Sequence, residues 1–368
     1  MASRLLGSFA TDIVTVTVGW QIYTLTRDPL DLGLVGLSLA APIFLFSLFA
    51  GLAADRLNRR AIIATSNSIH ALAAGFLLYY AMTGSSEPWP IFLAIFLHGS
   101  AKAFEDPSTT SILPSLVERK QFPTAIAYAH SFEKVAEIAA PALAGVLIAL
   151  IGVWVYLIAA TCFAVSAGSS ALLKAPHRER ILQAISFSEL VGGFTYVWSN
   201  KLVLAVMSMN LVAMVFSGVL GMLPAFAIDV LDVGPEGLGV LRTMPAVGAI
   251  AVGFLLVRLP LKDNVGRTLI ASIMCIGLSV VAFSLSEIFW LSLVFLALFG
   301  AADMVSTNIR NTLVQMVTPE EMRGRVASVH SVTAGSSDEI GDFRAGAAAA
   351  AIGLVPAVAI GGVITFSL

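Results

Sequence analysis

Gly51-Leu-Ala-Ala-Asp55-Arg56-Leu57-Asn58-Arg59-Arg60 is a short charged turn between two long apolar runs, and Gly253-Phe-Leu-Leu-Val-Arg258-Leu259 repeats its opening 202 positions later. At nearly the same offset, Leu113 to Ala125 parallels Val314 to Ala327, each passing through a charged turn into a Gly/Ala-rich run. Agreement in offset and charge predicts a duplicated chain. Parallel repeats of membrane-crossing helices predict alternating access to a site near the midplane between the halves.

Outward from those turns, apolar stretches fill most of the sequence. Of its 368 residues, 58% are hydrophobic and 12% charged, about half the charged fraction of an average soluble domain. A hydrocarbon core about 30 Å thick needs roughly 20 apolar residues per helical crossing. Barrel strands would alternate in polarity, whereas these runs are continuous and rich in Leu, Ala, Ile, Val and Gly. The expectation is an all-α polytopic membrane protein of about twelve transmembrane helices in two parallel six-helix repeats. Spans are predicted near 5–26, 32–53, 61–83, 90–112, 124–151 and 153–173, then near 201–231, 237–259, 265–286, 288–317, 323–352 and 354–368. The last rises only about 22 Å, which predicts either a clipped C-terminus or tilting of its neighbours.

Orientation follows from Lys and Arg. Arg56, Arg59 and Arg60, then Arg119 and Lys120, then Lys174, Arg178 and Arg180, then Arg258, Lys262 and Arg267, and finally Arg323 and Arg325 fall in alternate connections. The opposite loops hold only Arg27. The positive-inside rule then predicts a multi-pass inner (plasma) membrane protein with a cytoplasmic N-terminus. Leu5 to Leu25, after Arg4, lacks a clear cleavage pattern and is expected to be retained as the first helix. Three parts are predicted: a six-helix half at 1–173, a central cytoplasmic loop at 174–200, and a second half at 201–368. Tyr196 and Trp198 in the loop would suit an interfacial helix at headgroup level.

Several function classes are excluded at this stage. A net charge of −2 without a basic block argues against nucleic acid. Cys162 and Cys275 lack metal or disulfide spacing, and His70, His98, His130 and His330 are scattered over four helices, so no metal and no cofactor is expected. No HExxH, no nucleophile beside a His and no Walker-type loop occurs, so neither an enzyme nor an ATP-driven pump is expected. A channel would show a pore loop rather than duplicated halves.

The turn Gly51-x-x-x-Asp55-Arg56-x-Asn58-Arg59-Arg60 resembles the loop signature between helices two and three of the major facilitator superfamily. The family has Gly where this chain has Asn58, which tolerates the left-handed conformation better than other side chains. Trp20-Gln-Ile-Tyr23-x-Leu25-Thr26, Pro107 to Pro114, Thr318-Pro-Glu-Glu-Met-Arg323-Gly-Arg325-Val326 and Gly341-Asp-Phe-Arg344-Ala-Gly346 look like its enterobactin-exporter-like and drug-exporter branch. In place of the antiporters' Gly-Pro-x-x-Gly-Gly on helix five stands Ala140-Pro141-x-x-Ala144-Gly145, which keeps a small packing face. The resemblance implies a monomeric secondary transporter in the lipid bilayer, exporting a small siderophore-like or drug-like molecule in exchange for protons, with uptake of a metabolite as the alternative. It also implies that Gly51, Asp55, Arg56, Arg59 and Arg60 latch one state of the cycle. Without the resemblance, Gly51 would let helices approach and the arginines would set topology.

An ionised group at the centre of a lipid-facing helix costs about 2.5–3.5 kcal/mol on insertion scales, so each needs a partner, a wet cavity or a proton. Asp12 shares a face with Thr15, Gly19 and Tyr23, and serves equally as a helix-end group. Helix four carries Lys102, Glu105 and Asp106, and helix five Glu133, Lys134 and Glu137. Lys102 with Asp106 and Lys134 with Glu137 have pairing spacing, which leaves Glu105 and Glu133 unpaired within their helices. Helix ten presents Asp303, Thr307, Arg310 and Asn311 on one inward face. Helix eleven carries Asp338, Glu339, Asp342 and Arg344, with fold maintenance the larger expectation, and Arg242 is expected to snorkel. Asp303 has no basic residue three or four positions away and is the leading candidate for proton coupling, followed by Glu105, Glu133, Glu137 and Asp12, with Arg310 a cavity candidate. An acid facing a midplane cavity can exchange a proton with one side at a time.

Overall fold

The computed structural model describes residues 2–116, 121–172, 194–258 and 264–368, so the polar run of the central loop lies outside the described residues. Among them no strand occurs. The helices are α1 (Ala2–Thr26), α2 (Pro29–Arg56), α3 (Arg59–Thr83), α4 (Trp89–Leu116), α5 (Phe122–Ile151), α6 (Val155–Ala171), α7 (Lys201–Ser217), α8 (Leu223–Asp229), α9 (Pro235–Arg258), α10 (Val265–Ser284), α11 (Phe289–Val317), α12 (Glu320–Ile352) and α13 (Leu354–Phe366). Among the described residues, seven helical stretches are long and apolar enough to cross a membrane, one of them running through both α5 and α6. The charged α4 and α12, the broken span formed by α7 and α8, and the short apolar α13 complete the twelve crossings of an all-α polytopic fold.

Helix ends follow local chemistry. Asn58 opens α3 by accepting the Arg60 N–H, and Asn200 opens α7 by accepting those of Leu202 and Val203, both at 3.2 Å. Gly84 closes α3 at φ 67°, where a side chain would be strained. Two expectations at the 51–60 turn fail. Asn58 has φ −72°, so the turn uses it as an N-cap and not in a left-handed conformation. A Cβ at Gly51 would meet nothing within 4 Å, so among the described residues no helix approaches closely there.

The chain divides into two compact units. The first contains Met1–Arg27, Leu37–Gln183 and Val233–Val240, and the second contains Asp28–Gly36, Ala184–Asp232 and Leu241–Leu368. Within the first, α1 packs on α5 and α6, and α3 on α4 and α6. Within the second, α7 packs on α12 and α13, and α10 on α11 and α13. The second set is the first moved on by six crossings, which is the duplication in three dimensions. Because lipid tails are as apolar as leucine, close approach of small residues replaces the hydrophobic drive between helices. Gly145 on α5 faces the Pro235 carbonyl and lies beside Gly239 on the first turns of α9, and Ala140 and Ala144 next to it are fully buried. Gly346, at almost the same repeat offset, makes the matching contact in the second unit with Pro29 and Gly33.

One crossing differs from its sequence expectation. The seventh span, predicted as continuous over 201–231, breaks between Ser217 and Leu223. Gly218 takes φ 41° and presses against the Gly341 carbonyl, where a Cβ would stand 2.6 Å from that oxygen. Asp342 accepts the Gly221 N–H at 2.9 Å, so the freed backbone is satisfied by α12.

Candidate functional site

At the α2–α3 turn, Arg59 donates Nε to the Ala54 carbonyl at 2.9 Å and Nη1 to the Ser111 carbonyl at 2.6 Å, binding the turn to the end of α4. Arg56 is exposed and Arg60 half-buried. The side chain of Asp55 lies outside the described residues, as does that of Glu133. On α5, Lys134 and Glu137 pair with each other, both about half exposed. Asp12 is half-buried on α1.

On α11, Arg310 is almost fully buried and donates to the Ser306 and Thr307 hydroxyls at 2.6 and 2.7 Å. Its Nη2 lies 3.8 Å from Oδ1 of Asp303, which also accepts from Thr307 at 3.4 Å. This corrects the expectation that Asp303 lacks a structural partner on its own helix. Seven residues are about two turns, so Arg310 shares its face, and the long guanidinium arm spans the gap. On α12, Arg344 does not neutralise an acid by direct contact among the described residues. It donates Nε and Nη2 to the Val215 and Phe216 carbonyls, both at 2.8 Å, and lies 5.2 Å over the Phe216 ring.

The histidines that look scattered in sequence meet. Asn67 and His70 stand one turn apart on α3, and His98 and Glu105 two turns apart on α4, so each pair shares a helix face. Nδ1 of His70 is 2.8 Å from Nδ1 of His98, and its Nε2 is 3.0 Å from Oε2 of Glu105. Asn67 donates to the other Glu105 oxygen at 2.6 Å. The Phe163 ring of α6 covers both imidazoles, with centroids at 5.0 and 5.8 Å, and Gly7 of α1 gives room beside Asn67. The 28-residue separation of the two histidines hides this junction from any local motif. The available signal was helical phase: polar residues on one face of each of two apolar helices. No group of three His, Cys, Asp or Glu side chains among the described residues has metal-binding geometry, because the second nitrogen of His70 faces away from His98 toward Glu105.

A cavity of about 520 Å³ opens within the first unit at the far end of α1 from the N-terminus, lined by Trp20, Gln21, Tyr156 and Glu236 among others. The Tyr156 hydroxyl donates to Gln21 at 2.5 Å. That contact gives the Trp20-Gln21 motif a structural task, since it joins α1 to α6.

A family profile described as Transmembrane secretion effector matches residues 1–367. The chain is similar to the enterobactin exporter EntS of Citrobacter koseri, 27% identical over 98% of this chain and 86% of that protein. It is also similar to the enterobactin exporter EntS of Escherichia coli O1:K1 / APEC, 27% identical over 92% of this chain and 82% of that protein. Among solved structures it resembles the nucleoside transporter NupG, with a TM-score of 0.77 at 16% identity over 100% of this chain and 96% of that one. A bacterial homologue of the iron transporter ferroportin, in an inward-facing state, gives 0.67 at 18% identity over 99% and 96%. The structural likeness is one of fold.

Proposed function

The chain belongs to the transmembrane secretion effector family of the major facilitator superfamily, and from that premise we propose that it exports a small siderophore-like molecule from the cytoplasm in exchange for protons. The end-to-end similarity to enterobactin exporters carries the choice of substrate class and direction. Buried ionisable groups within both units support coupling, because a membrane protein retains such groups against a cost of about 2.5–3.5 kcal/mol each. The protein performs no bond chemistry and works as a monomer in the bilayer. Asp55, Arg56 and Arg60 hold one state of the cycle from the α2–α3 turn, while Arg59 secures that turn to α4. Of the acids singled out by sequence, Glu137 pairs with Lys134 and Asp303 with Arg310, whereas Glu105 touches a titratable imidazole, which moves Glu105 to the front as the proton carrier. Export is tested in everted membrane vesicles containing the full chain. An acidic interior should drive accumulation of added enterobactin, and collapsing the gradient should stop it. Accumulation only in right-side-out vesicles would make the protein an importer, and no movement in either would remove enterobactin as substrate.

The same reading places the basic connections in the cytoplasm. Single cysteines at Arg27 and Glu236 should react with an impermeant maleimide added outside intact cells, and one at Arg178 only after the membrane is opened. Labelling of Arg178→Cys from outside would reverse the assigned orientation.

A further inference from the structure

The chain Asn67, Glu105, His70, His98 is continuous, and its hydrogen-bond bookkeeping limits the protons it can hold. Two imidazole nitrogens facing each other share one proton, so one ring donates and the other accepts. With Glu105 ionised and both rings neutral, His70 donates from Nε2 to the carboxylate and accepts at Nδ1, so His98 donates from Nδ1. One added proton reverses His98. His70 then carries protons on both nitrogens, or passes one to Glu105, while the single hydrogen of His98 has moved from Nδ1 to Nε2 and its Nδ1 accepts. The His98–His70 and His70–Glu105 hydrogen bonds persist in both forms, and the forms differ by one proton. Nε2 of His98 is buried and makes no hydrogen bond among the described residues, so the tautomer of that ring is not pinned from its far side.

The fold itself does not require this cluster. At the repeat offset of 202, Leu269 and Ser272 stand for Asn67 and His70, Gly300 for His98 and Thr307 for Glu105. There Leu269 packs with Ile273, Ile309 and Ala213 in an apolar core, and the Ser272 hydroxyl bonds its own helix. Two copies of one architecture thus build the same helix pair, one with Leu269, Ser272 and Gly300 where the other carries an amide and two histidines. Burying two imidazoles bears a desolvation cost that Ser272 and Gly300 avoid at the matching positions.

We infer that Glu105, His70 and His98 form the binding site of the exchanged proton, with Glu105 as the group through which it enters and leaves. The Glu105 side chain is 21% exposed whereas that of His70 is 1% exposed, so the acid end of the cluster is the more open one. His98 lies about 10 Å further along α4 behind the Phe163 ring. Lys102, one turn from both His98 and Glu105, acts electrostatically on all three groups. Of the other packed elements, α1 contributes Arg4 and Asp12, α3 has its only charges at Arg59 and Arg60, α5 carries Glu133, Lys134 and Glu137, and α6 has no charged side chain.

This inference rests on the proton-driven reading above, and the test separates the two. Reconstituted full-length protein with ¹⁵N-labelled histidine should show two ring signals, assigned by His70→Gln and His98→Gln, that change tautomer or charge in one shared transition as pH falls. Infrared difference spectra over the same range should show a change in Glu carboxyl absorption that Glu105→Gln removes. Glu105→Gln should also lower pH-gradient-driven enterobactin flux by about tenfold, the size of an ordinary coupling between two bound species. Histidine signals in wild-type protein that stay constant with pH overturn the inference, as does wild-type flux in Glu105→Gln. If the cluster titrates but wild-type vesicles move no enterobactin, the proton site stands and the substrate proposal fails.

Discussion

Gly248→Ala, the addition of one methyl group, should leave little folded protein, whereas Gly75→Ala should be neutral or stabilising. Gly248 on α9 and Gly300 on α11 sit at one helix crossing in the second unit. A Cβ on Gly248 would overlap the Ala297 carbonyl, and one on Gly300 would overlap the Pro245 carbonyl. Both obstacles are backbone, so no side-chain rotation relieves them and the helices must separate. Separation forfeits the dispersion and Cα–H···O contacts that hold helices together where no hydrophobic effect acts. Overpacking a tight core costs about 1–3 kcal/mol and sometimes more, and the upper part of that range applies to backbone against backbone. At Gly75 on α3 a Cβ meets nothing within 4 Å. There alanine gains about 0.8–1 kcal/mol of helix propensity. Yield and melting temperature in detergent distinguish the two variants. Equal melting temperatures would mean that the α9–α11 crossing is looser than its geometry.

The repeat and the crossings were legible because both depend on local or periodic signals. Apolar runs of membrane length give spans, and Gly253-Phe-Leu-Leu-Val-Arg258 repeating Gly51-Leu-Ala-Ala-Asp-Arg56 gives two halves. The small face Ala140, Ala144 and Gly145 was readable for the same reason, since spacings of four and five keep it on one side of a helix. What escaped was set by partners remote in sequence. His70 and His98 belong to different helices, and nothing in either sequence window says that their rings face each other. Asp303 reads as unpaired at spacings of three and four residues, while an arginine can reach back seven along its own face. Residue type alone gives Gly51 and Asn58 conformational roles. The structure gives one open space and the other a cap.

The break in the seventh crossing underlies the second large effect: Arg344→Ala should destabilise the protein by about 3 kcal/mol, an estimate from the 1.5–3 kcal/mol of each hydrogen bond to a charged group. α7 ends at Ser217, and the last carbonyls of any helix have no partner within it. At membrane depth water cannot replace them, and each unsatisfied group costs several kcal/mol. Arg344 supplies donors to the carbonyls of Val215 and Phe216, while Asp342 on the same helix accepts from Gly221 at the other side of the break. Two residues of the Gly341-Asp-Phe-Arg344 motif therefore cap both ends of one interruption, which is why fold maintenance follows from their geometry. The planar fork of arginine meets two carbonyls at once, whereas lysine offers a point charge. Arg344→Lys should accordingly recover only part of the loss, and Asp342→Asn, which keeps an acceptor oxygen for Gly221, should melt near wild type. Thermal unfolding of the four proteins in one detergent gives the ranking. If Arg344→Ala melted with wild type, α7 would have to satisfy its terminal carbonyls without α12, and the broken crossing would lose its assigned support.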